Sequence, residues 1–359
     1  MNTKTQWERK TIKILLGIYI LFCFIIAGLN YGYAANAEEK VQKVIQHIWH
    51  FYENEFKTCL IIVCSILTLK IINKTQRANK RKKNLLGIAI SAIVIHVVVP
   101  RIIGNSEMYL FCMPLPWTTI QWRLMDKTSP YYINTASQWG VNEITYIIMF
   151  FVIINIIVIL GTLIMGRRWQ CSTICLFNGF AAEVFSPVFP LFGKAGKPNG
   201  LLRRILAIMR WLFLGIALFY TLYWVLRVNG INIFGPPVDG IILKIESYKY
   251  LVLELILAMV FWMASIGRGY CYYCPAGTVL GFISKIAGQK IDTSKSKCVK
   301  CGKCNDACPM GIEIQEKASL SQPIMNTRCV GCCHCVDVCP TKNLEYSTSV
   351  LGIINRKRG

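Results

Sequence analysis

Six long apolar segments limit what this chain can fold into. They lie at about residues 12–33, 58–73, 85–104, 144–166, 205–228 and 249–267. Most are long enough for a helix to cross the hydrocarbon core of a bilayer, which is about 30 Å thick. Only 16% of the 359 residues are charged, which is too few to cover the surface of a soluble protein. The sequence therefore predicts a polytopic α-helical membrane protein with about six transmembrane helices.

The basic residues predict how these helices are oriented. The chain has 40 Lys and Arg against 18 Asp and Glu, and the basic residues concentrate before the first apolar segment and in the loops 74–83 and 167–204. Loops rich in Lys and Arg stay on the cytoplasmic side of a membrane. We therefore predict a multi-pass protein of the cytoplasmic membrane, with its N-terminus and its C-terminal domain in the cytoplasm. This topology explains the excess of positive charge without a nucleic-acid partner.

The strongest chemical signal is a cysteine motif that occurs twice near the C-terminus. Each copy has the spacing C-x2-C-x2-C-x3-C-P. With this spacing, the first three thiolates hold one [4Fe-4S] cluster and the fourth reaches the other cluster. Zinc ribbons also use CxxC pairs, but two complete runs closed by Cys-Pro favour iron–sulfur clusters. The predicted ligands are Cys298, Cys301, Cys304 and Cys339 for cluster 1, and Cys329, Cys332, Cys335 and Cys308 for cluster 2.

A change in composition near residue 268 predicts a domain boundary, because the chain becomes polar and rich in Gly and Cys. We predict a two-helix extension with a basic loop at 1–84, a four-helix membrane core at 85–267, and a cytoplasmic α+β domain of the bacterial two-[4Fe-4S] ferredoxin type at 268–359. The tripeptide Ala35-Asn36-Ala37 resembles a signal-peptidase site. We favour a retained first helix, with a cleaved signal peptide as the alternative.

A second group of cysteines repeats at the inner ends of two predicted helices. The segment Gly166-Arg167-Arg168-Trp169-Gln170-Cys171 corresponds to Gly267-Arg268-Gly269-Tyr270-Cys271. Cys175 follows the first copy and Cys274 follows the second. Since both copies follow a helical hairpin on the same face, they predict two parallel halves. We expect the four thiols either to share a third iron–sulfur or metal centre or to act as redox-active dithiols; packing at a helix end is the remaining alternative.

Together these motifs resemble the NapH family of membrane polyferredoxins, which includes YccM-type proteins and the C-terminal parts of NosR-type proteins. Its members join four helices and two C-x3-C-P motifs to two ferredoxin motifs, and the resemblance covers 85–345. This chain has Leu176 where the family has proline, and its Cys271–Cys274 spacing is one residue short. The first two apolar segments have no counterpart in the family's four-helix core.

The resemblance implies an electron-transfer subunit rather than a stand-alone enzyme. Such a subunit passes single electrons between the quinone pool or a cytoplasmic donor and a membrane or extracytoplasmic redox partner. An alternative function is that of CcoG-type proteins, which are redox assembly or maturation factors for a metalloenzyme, for example through metal reduction. No flavin-attachment Ser-Gly-Ala-Thr segment is present and His96 is the only histidine in a predicted span. We therefore expect neither a covalent flavin nor a b-type haem.

Ionisable residues predict where partners bind. Because charges inside a bilayer are costly, His96, Arg101 and Glu254 are candidates for a quinone or proton site, with snorkelling or helix–helix hydrogen bonds as the alternative. Residues 268–359 carry 13 Lys and Arg against six Asp and Glu. We therefore predict an acidic cytoplasmic electron carrier that approaches a basic surface, namely Lys297, Lys300, Lys303 and Arg328. Aromatic residues of the outer loop, such as Trp117, are expected to form an interfacial belt.

Overall fold

The chain folds into a bundle of helices with a small cysteine-rich domain against one end. A computed structural model describes residues 3–33, 37–75, 78–192, 200–264, 267–293 and 297–356. Ala35 and Asn36 of the predicted signal-peptidase site lie outside these residues. The domain limits at 84 and 268 remain predictions, although one buried core runs from Ile12 to Tyr346 across both of them.

The N-terminal part contains five helices: α1 (Thr3–Gly28), α2 (Glu39–Phe51), α3 (Lys57–Thr75), α4 (Asn79–Ile93) and α5 (Val99–Ile103). Short π-helical segments at Tyr52–Phe56 and Val94–Val98 join α2 to α3 and α4 to α5. The helix α3 packs between α1 and α4. Its inner face is therefore buried within the bundle.

The middle of the chain contains seven helices: α6 (Ile120–Met125), α7 (Pro130–Trp139), α8 (Val141–Met165), α9 (Asn178–Val184), α10 (Gly200–Val228), α11 (Pro236–Tyr248) and α12 (Leu257–Ala264). A π-helical segment, Lys249–Ile256, continues α11 into α12, and another, Trp169–Ile174, follows α8. The C-terminal part contains α13 (Pro275–Ile286), β1 (Lys290–Asp292), α14 (Lys303–Ala307), α15 (Gln315–Ser319), α16 (His334–Val338), β2 (Glu345–Ser347) and α17 (Ser349–Arg356).

Five helical stretches of the described residues are long and apolar enough to cross a membrane. They are Thr5–Tyr33, Asn79–Ile103, Val141–Met165, Gly200–Val228 and Gly240–Ala264. They overlap five of the six predicted spans, which confirms a helical membrane protein. The sixth predicted span, 58–73, is helical as part of α3 but is not one of the five. It packs between α1 and α4, and many of its apolar side chains are buried within the protein, including Leu60, Ile61, Cys64 and Ile71.

The cysteine-rich domain is attached to the end of α8. Its strands β1 and β2 pair antiparallel, with Ile291 opposite Tyr346. The hydroxyl of Tyr346 donates a 2.7 Å hydrogen bond to the carbonyl of Met165, and the hydroxyl of Thr348 donates a 2.6 Å bond to the carbonyl of Ile164. The last carbonyls of a helix have no partner within the helix. The small sheet therefore completes the hydrogen bonding of α8 and fixes the domain to the bundle.

At the opposite end, the loop between α5 and α7 folds back into the bundle. The backbone N–H of Leu115 donates a 2.9 Å hydrogen bond to the side chain of Asn155, midway along α8. Trp117 is consequently buried, with only 8% of its surface exposed. The prediction of an interfacial position is therefore wrong for Trp117, because its ring packs against Phe177 at 4.8 Å within the protein.

Candidate functional site

The eight cysteines of the repeated motif line two separate small cavities. One cavity is lined by Cys298, Cys301, Cys304 and Cys339. The other is lined by Cys308, Cys329, Cys332 and Cys335. In each cavity, three cysteines come from one copy of the motif and the fourth comes from the other copy. This crossed arrangement is the grouping that a two-cluster ferredoxin requires.

The two copies of the motif have the same backbone turns. Lys300 and Gly331, each two residues after the first cysteine, have φ values of 53° and 65°. Gly302 and Cys333, two residues further on, have φ values of 76° and 62°. The left-handed conformation at these positions turns the chain around one centre, so that three cysteines of a copy can face the same cavity. The repeated spacing in the sequence is therefore a repeated local structure.

The surroundings of the second cavity fit a thiolate-bound cluster. Burial raises the pKa values of the Cys329 and Cys332 thiols, whereas backbone N–H groups of Gly331 and His334 donate towards these sulfurs and oppose that shift. Apolar residues complete the wall, namely Ile291, Met310, Ile312, Ile314, Ile324 and Val330. Because a coordinated thiol loses its proton, iron at this position would remove the cost of keeping the sulfurs ionised in an apolar site.

Cys333 lies beside the second cavity but points to a different partner. It occupies the place that Gly302 has in the first copy, and its sulfur accepts a 3.2 Å hydrogen bond from the guanidinium of Arg168. Arg168 also donates to the side chain of Asn84 at 2.8 Å, within α4. Cys333 therefore takes part in attaching the cysteine-rich domain to the bundle.

A buried network of charged groups lies between the second cavity and the bundle. The carboxylate of Glu183 contacts the guanidinium of Arg268 at 2.5 Å and the ring of His334 at 3.0 Å. Burial alone would raise the pKa of Glu183, but His334 and Arg268 hold it well below its usual range. The carboxylate, the His334 ring and the Cys332 sulfur have ligand atoms within 4.8 Å of one another. Glu183 thus supplies a fixed negative charge next to the second cavity.

The four membrane-proximal cysteines are brought together behind this network. Arg167 donates a 3.2 Å hydrogen bond to the sulfur of Cys171, and Asn178 donates one of 3.2 Å to the sulfur of Cys271. Cys175 and Cys274 are half-buried against the same group. Desolvation first, and the neighbouring cysteines next, raise the pKa values of both thiols. For Cys175 the pKa rises to about 11. The repeat seen in the sequence therefore builds one common site.

A third cavity lies at the opposite end of the bundle, with a volume of about 260 Å³. Glu254 is buried at its edge, where it accepts hydrogen bonds from the indole of Trp117 at 2.8 Å and from the ammonium of Lys249 at 2.6 Å. His96 is buried in a neighbouring small cavity that Trp117 also lines. Arg101 is exposed and lines neither cavity. Of the three predicted quinone or proton residues, two therefore lie near Trp117.

Sequence reasoning missed two of these groups. Glu183 is the single acidic residue between Met165 and Gly200, and this isolation in an apolar stretch was a usable signal. Lys249 gave no comparable signal, because a lysine near the end of a predicted span is normally explained by snorkelling. Its pairing with Glu254 depends on the π-helical segment that carries both residues.

Comparisons with known proteins identify the same region. A model of the 4Fe-4S dicluster domain family matches residues 290–340. YccM of Escherichia coli (strain K12), named as a candidate electron transport protein, is 26% identical over 141 residues, which are 35% of this chain and 39% of YccM. The uncharacterized protein MJ0750 of Methanocaldococcus jannaschii is 28% identical over 167 residues, which are 45% of this chain and 66% of that protein.

A second protein of M. jannaschii, the uncharacterized MJ0749, is 36% identical over 77 residues, covering 21% of this chain and 30% of that protein. The chain thus spans less than two thirds of the length of each of these relatives. No solved structure matches the chain. The resemblance predicted from the motifs is nevertheless confirmed by the dicluster domain and by YccM: residues 290–340 form a 4Fe-4S dicluster domain, and the chain is similar to 4Fe-4S membrane electron transport proteins of the YccM type.

Proposed function

We propose that the chain is an iron–sulfur electron transport protein that passes single electrons between the quinone pool and a redox partner. The observation that carries this proposal is the crossed arrangement of the eight cysteines around two cavities. Two [4Fe-4S] clusters held there would each accept and release one electron at low potential. The name of YccM supports the same kind of function.

In the cysteine-rich domain, a partner protein can reach the first cavity from outside the helical bundle. Cys301 is exposed, so the first cavity reaches the surface of the protein. Lys297, Lys300 and Lys303 are exposed around it. Positive charge of this kind speeds the approach of an acidic protein at low ionic strength. We infer that an acidic electron carrier docks beside Cys301, on the side that the positive-inside rule assigns to the cytoplasm.

The cavity beside Glu254 is our candidate for the quinone site. Its volume of about 260 Å³ lies just below the range of about 300–1,000 Å³ for ordinary ligand pockets, which suits a ring headgroup with its tail outside. Aromatic side chains line it, including Trp49, Tyr109 and Trp117. Oxidation of one quinol releases two electrons and two protons. The buried Glu254 carboxylate is positioned to take up a proton. Before it does so, the ion pair with Lys249 stabilises its negative charge.

Aromatic rings connect this cavity with the cysteine end of the bundle. Trp117 contacts Phe177 with ring centroids 4.8 Å apart, and Phe177 contacts Tyr270 at 5.1 Å. Phe177 lies two residues after Cys175, and Tyr270 directly precedes Cys271. The quinone candidate site and the membrane-proximal cysteines are therefore joined by a short, water-poor contact path.

Vesicles test this function directly. The purified full chain is reconstituted into sealed, quinone-free liposomes, with a reductant inside and an impermeant acceptor outside. Since His96 is the only histidine in a predicted span, we expect no haem-mediated route, hence no transfer until menaquinone is added and rapid transfer afterwards. Rapid transfer without quinone would contradict the quinone step. A chain that contains no iron would contradict the electron-transport proposal itself.

A further inference from the structure

A buried cation, Arg167, lies beside the membrane-proximal cysteines, and the described residues offer it no acidic partner. Arg167 is only 2% exposed. Among the described residues no carboxylate forms an ion pair with it. Its guanidinium donates to the Cys171 sulfur at 3.2 Å and otherwise to backbone carbonyls, including that of Thr327 at 3.2 Å. A buried charge without compensation is strongly destabilising, so negative charge is needed on the sulfurs.

The chemical state of the four cysteines decides whether this requirement is met, because the Cys171 sulfur is in direct contact with the Arg167 guanidinium. Neutral thiols or a disulfide would leave the cation uncompensated. A set of thiolates bound to metal would carry the negative charge that the site lacks, because coordinated thiols are deprotonated.

Hydrogen-bond donors also point at the sulfurs from several directions. The side chain of Asn178 donates to Cys271 at 3.2 Å, and the backbone N–H of Gly277 donates to Cys274 at 3.3 Å. The guanidinium of Arg268 lies 3.9 Å from the Cys271 sulfur. Hydrogen bonds to the sulfurs are one of the means by which proteins set the potential of an iron–sulfur cluster. The site is therefore equipped for thiolates rather than for apolar packing.

The two halves of the repeat exchange contacts reciprocally. Arg268 donates a 2.9 Å hydrogen bond to the carbonyl of Cys171, while Arg167 donates one of 3.5 Å to the carbonyl of Cys271. Each arginine therefore holds the cysteine loop of the other copy. This reciprocal contact holds Cys171 and Cys271, which come from two distant segments, next to one another.

Two glycines keep space next to the sulfurs. A Cβ at Gly179 would lie 2.7 Å from the Cβ and 3.2 Å from the sulfur of Cys175. A Cβ at Gly277 would collide with the guanidinium of Arg167. Neither position can hold a larger residue without moving a cysteine or its counter-charge. The backbone around the four sulfurs is thus closely fitted to them.

We propose that Cys171, Cys175, Cys271 and Cys274 together hold a third iron–sulfur cluster of the cubane type. This inference rests on the proposed iron–sulfur function and deepens it. The site lies between the second ferredoxin cavity and the quinone candidate site: Ser172 donates a 2.9 Å hydrogen bond to the carbonyl of Val330, which lines that cavity, and Cys175 shares a small cavity with Trp117. A redox-active cluster suits this intermediate position, whereas zinc would transfer no electron.

Iron counting on the full chain tests the proposal. The protein is purified anaerobically in detergent, and its iron, acid-labile sulfide and zinc are quantified. Electron paramagnetic resonance then counts the unpaired electrons in the reduced sample. Three cubanes contain about twelve irons, and three reducible signals are expected. About eight irons and two signals would overturn the third cluster and leave the proposed function standing. Iron near zero would overturn both.

Variants then assign the third signal. Replacing Cys171, Cys175, Cys271 or Cys274 one at a time with Ser should remove the same signal and retain the other two. Cys59→Ser, at an exposed cysteine of α3, is the control and should retain all three. One zinc per chain that is lost in the same four variants would overturn the iron–sulfur assignment.

A charge variant keeps the test valid if the serine variants fail to fold. Arg167→Gln removes the cation and should shift the midpoint potential of the third signal to a lower value, because the more negative reduced form loses its counter-charge. Arg167→Lys keeps the charge and should restore most of the potential. Equal shifts of all three signals, or no shift, would overturn the placement of the third cluster beside Arg167.

Discussion

The indole N–H of Trp117 donates a hydrogen bond of 2.8 Å to the carboxylate of Glu254, although 137 positions separate the two residues. This bond joins a loop that folds back into the bundle to a π-helical segment of a membrane-spanning helix. It also marks the boundary between the cavity of about 260 Å³ and the aromatic rings that lead to the cysteines. The bond therefore lies where proton and electron routes would separate.

Glu254→Gln tests the proton route. The amide retains the shape of the carboxylate but cannot take up a proton, so electron transfer from menaquinol should slow by about 10²-fold. The iron content should remain that of the wild type. Glu143→Gln, at a carboxylate near the start of α8, serves as the control. An unchanged rate in Glu254→Gln would place the quinone elsewhere.

Cys308→Ser and Cys339→Ser test the crossed ligand arrangement. Each cysteine closes one copy of the motif but lines the cavity of the other copy. We expect Cys339→Ser to alter the signal that Cys298→Ser also alters, and Cys308→Ser to alter the other one. Low-temperature electron paramagnetic resonance on reduced samples separates these outcomes.

Cys333→Ser is the matched control for these ligand variants. Its sulfur contacts Arg168, and its backbone has the left-handed conformation that Gly302 has in the first copy. Both cluster signals should therefore be retained. If Cys308→Ser and Cys298→Ser changed the same signal, each copy of the motif would hold its own cluster and the crossed arrangement would be wrong.

Ionic strength tests the docking of an acidic carrier. The rate of electron transfer from a reduced acidic ferredoxin should fall by at least about tenfold between low and high salt, because steering by opposite charges is screened. Replacing Lys297, Lys300 and Lys303 together with Gln should lower the low-salt rate and flatten its salt dependence. Lys127→Gln, at an exposed residue of the opposite end, should change neither. A salt-independent wild-type rate would contradict the prediction.

Glu183→Gln tests the buried network between the second cavity and the bundle. Both side chains of the Glu183–Arg268 pair are completely buried. Removing one partner of such a pair costs about 3–5 kcal/mol, so the apparent melting temperature in detergent should fall markedly. Glu39→Gln breaks an exposed pair with Lys43 and should leave the melting temperature unchanged. Equal melting temperatures for the two variants would show that Arg268 finds another counter-charge.

The sequence by itself determined the local chemistry of this protein. The spacing of the cysteines predicted the two groups of four, since the first three cysteines of each copy share one short loop and the fourth reaches the other centre. The apolar segments predicted six spanning helices, of which five are long and apolar enough in the described residues to cross a membrane; a helix satisfies its own backbone hydrogen bonds, which a bilayer requires. The repeat around Arg167 and Arg268 also predicted that two cysteine pairs lie on one face.

Only the tertiary structure decided which distant groups meet. Trp117 lies in a loop whose aromatic composition is equally typical of an interfacial belt, and its burial follows from the loop's contact with Asn155 in α8. The ion pair of Glu183 with Arg268 joins residues 85 positions apart. The residue pattern around neither of them predicts this contact. Hydrogen bonds and ion pairs between remote segments depend on how whole helices pack, which local patterns of residues do not specify.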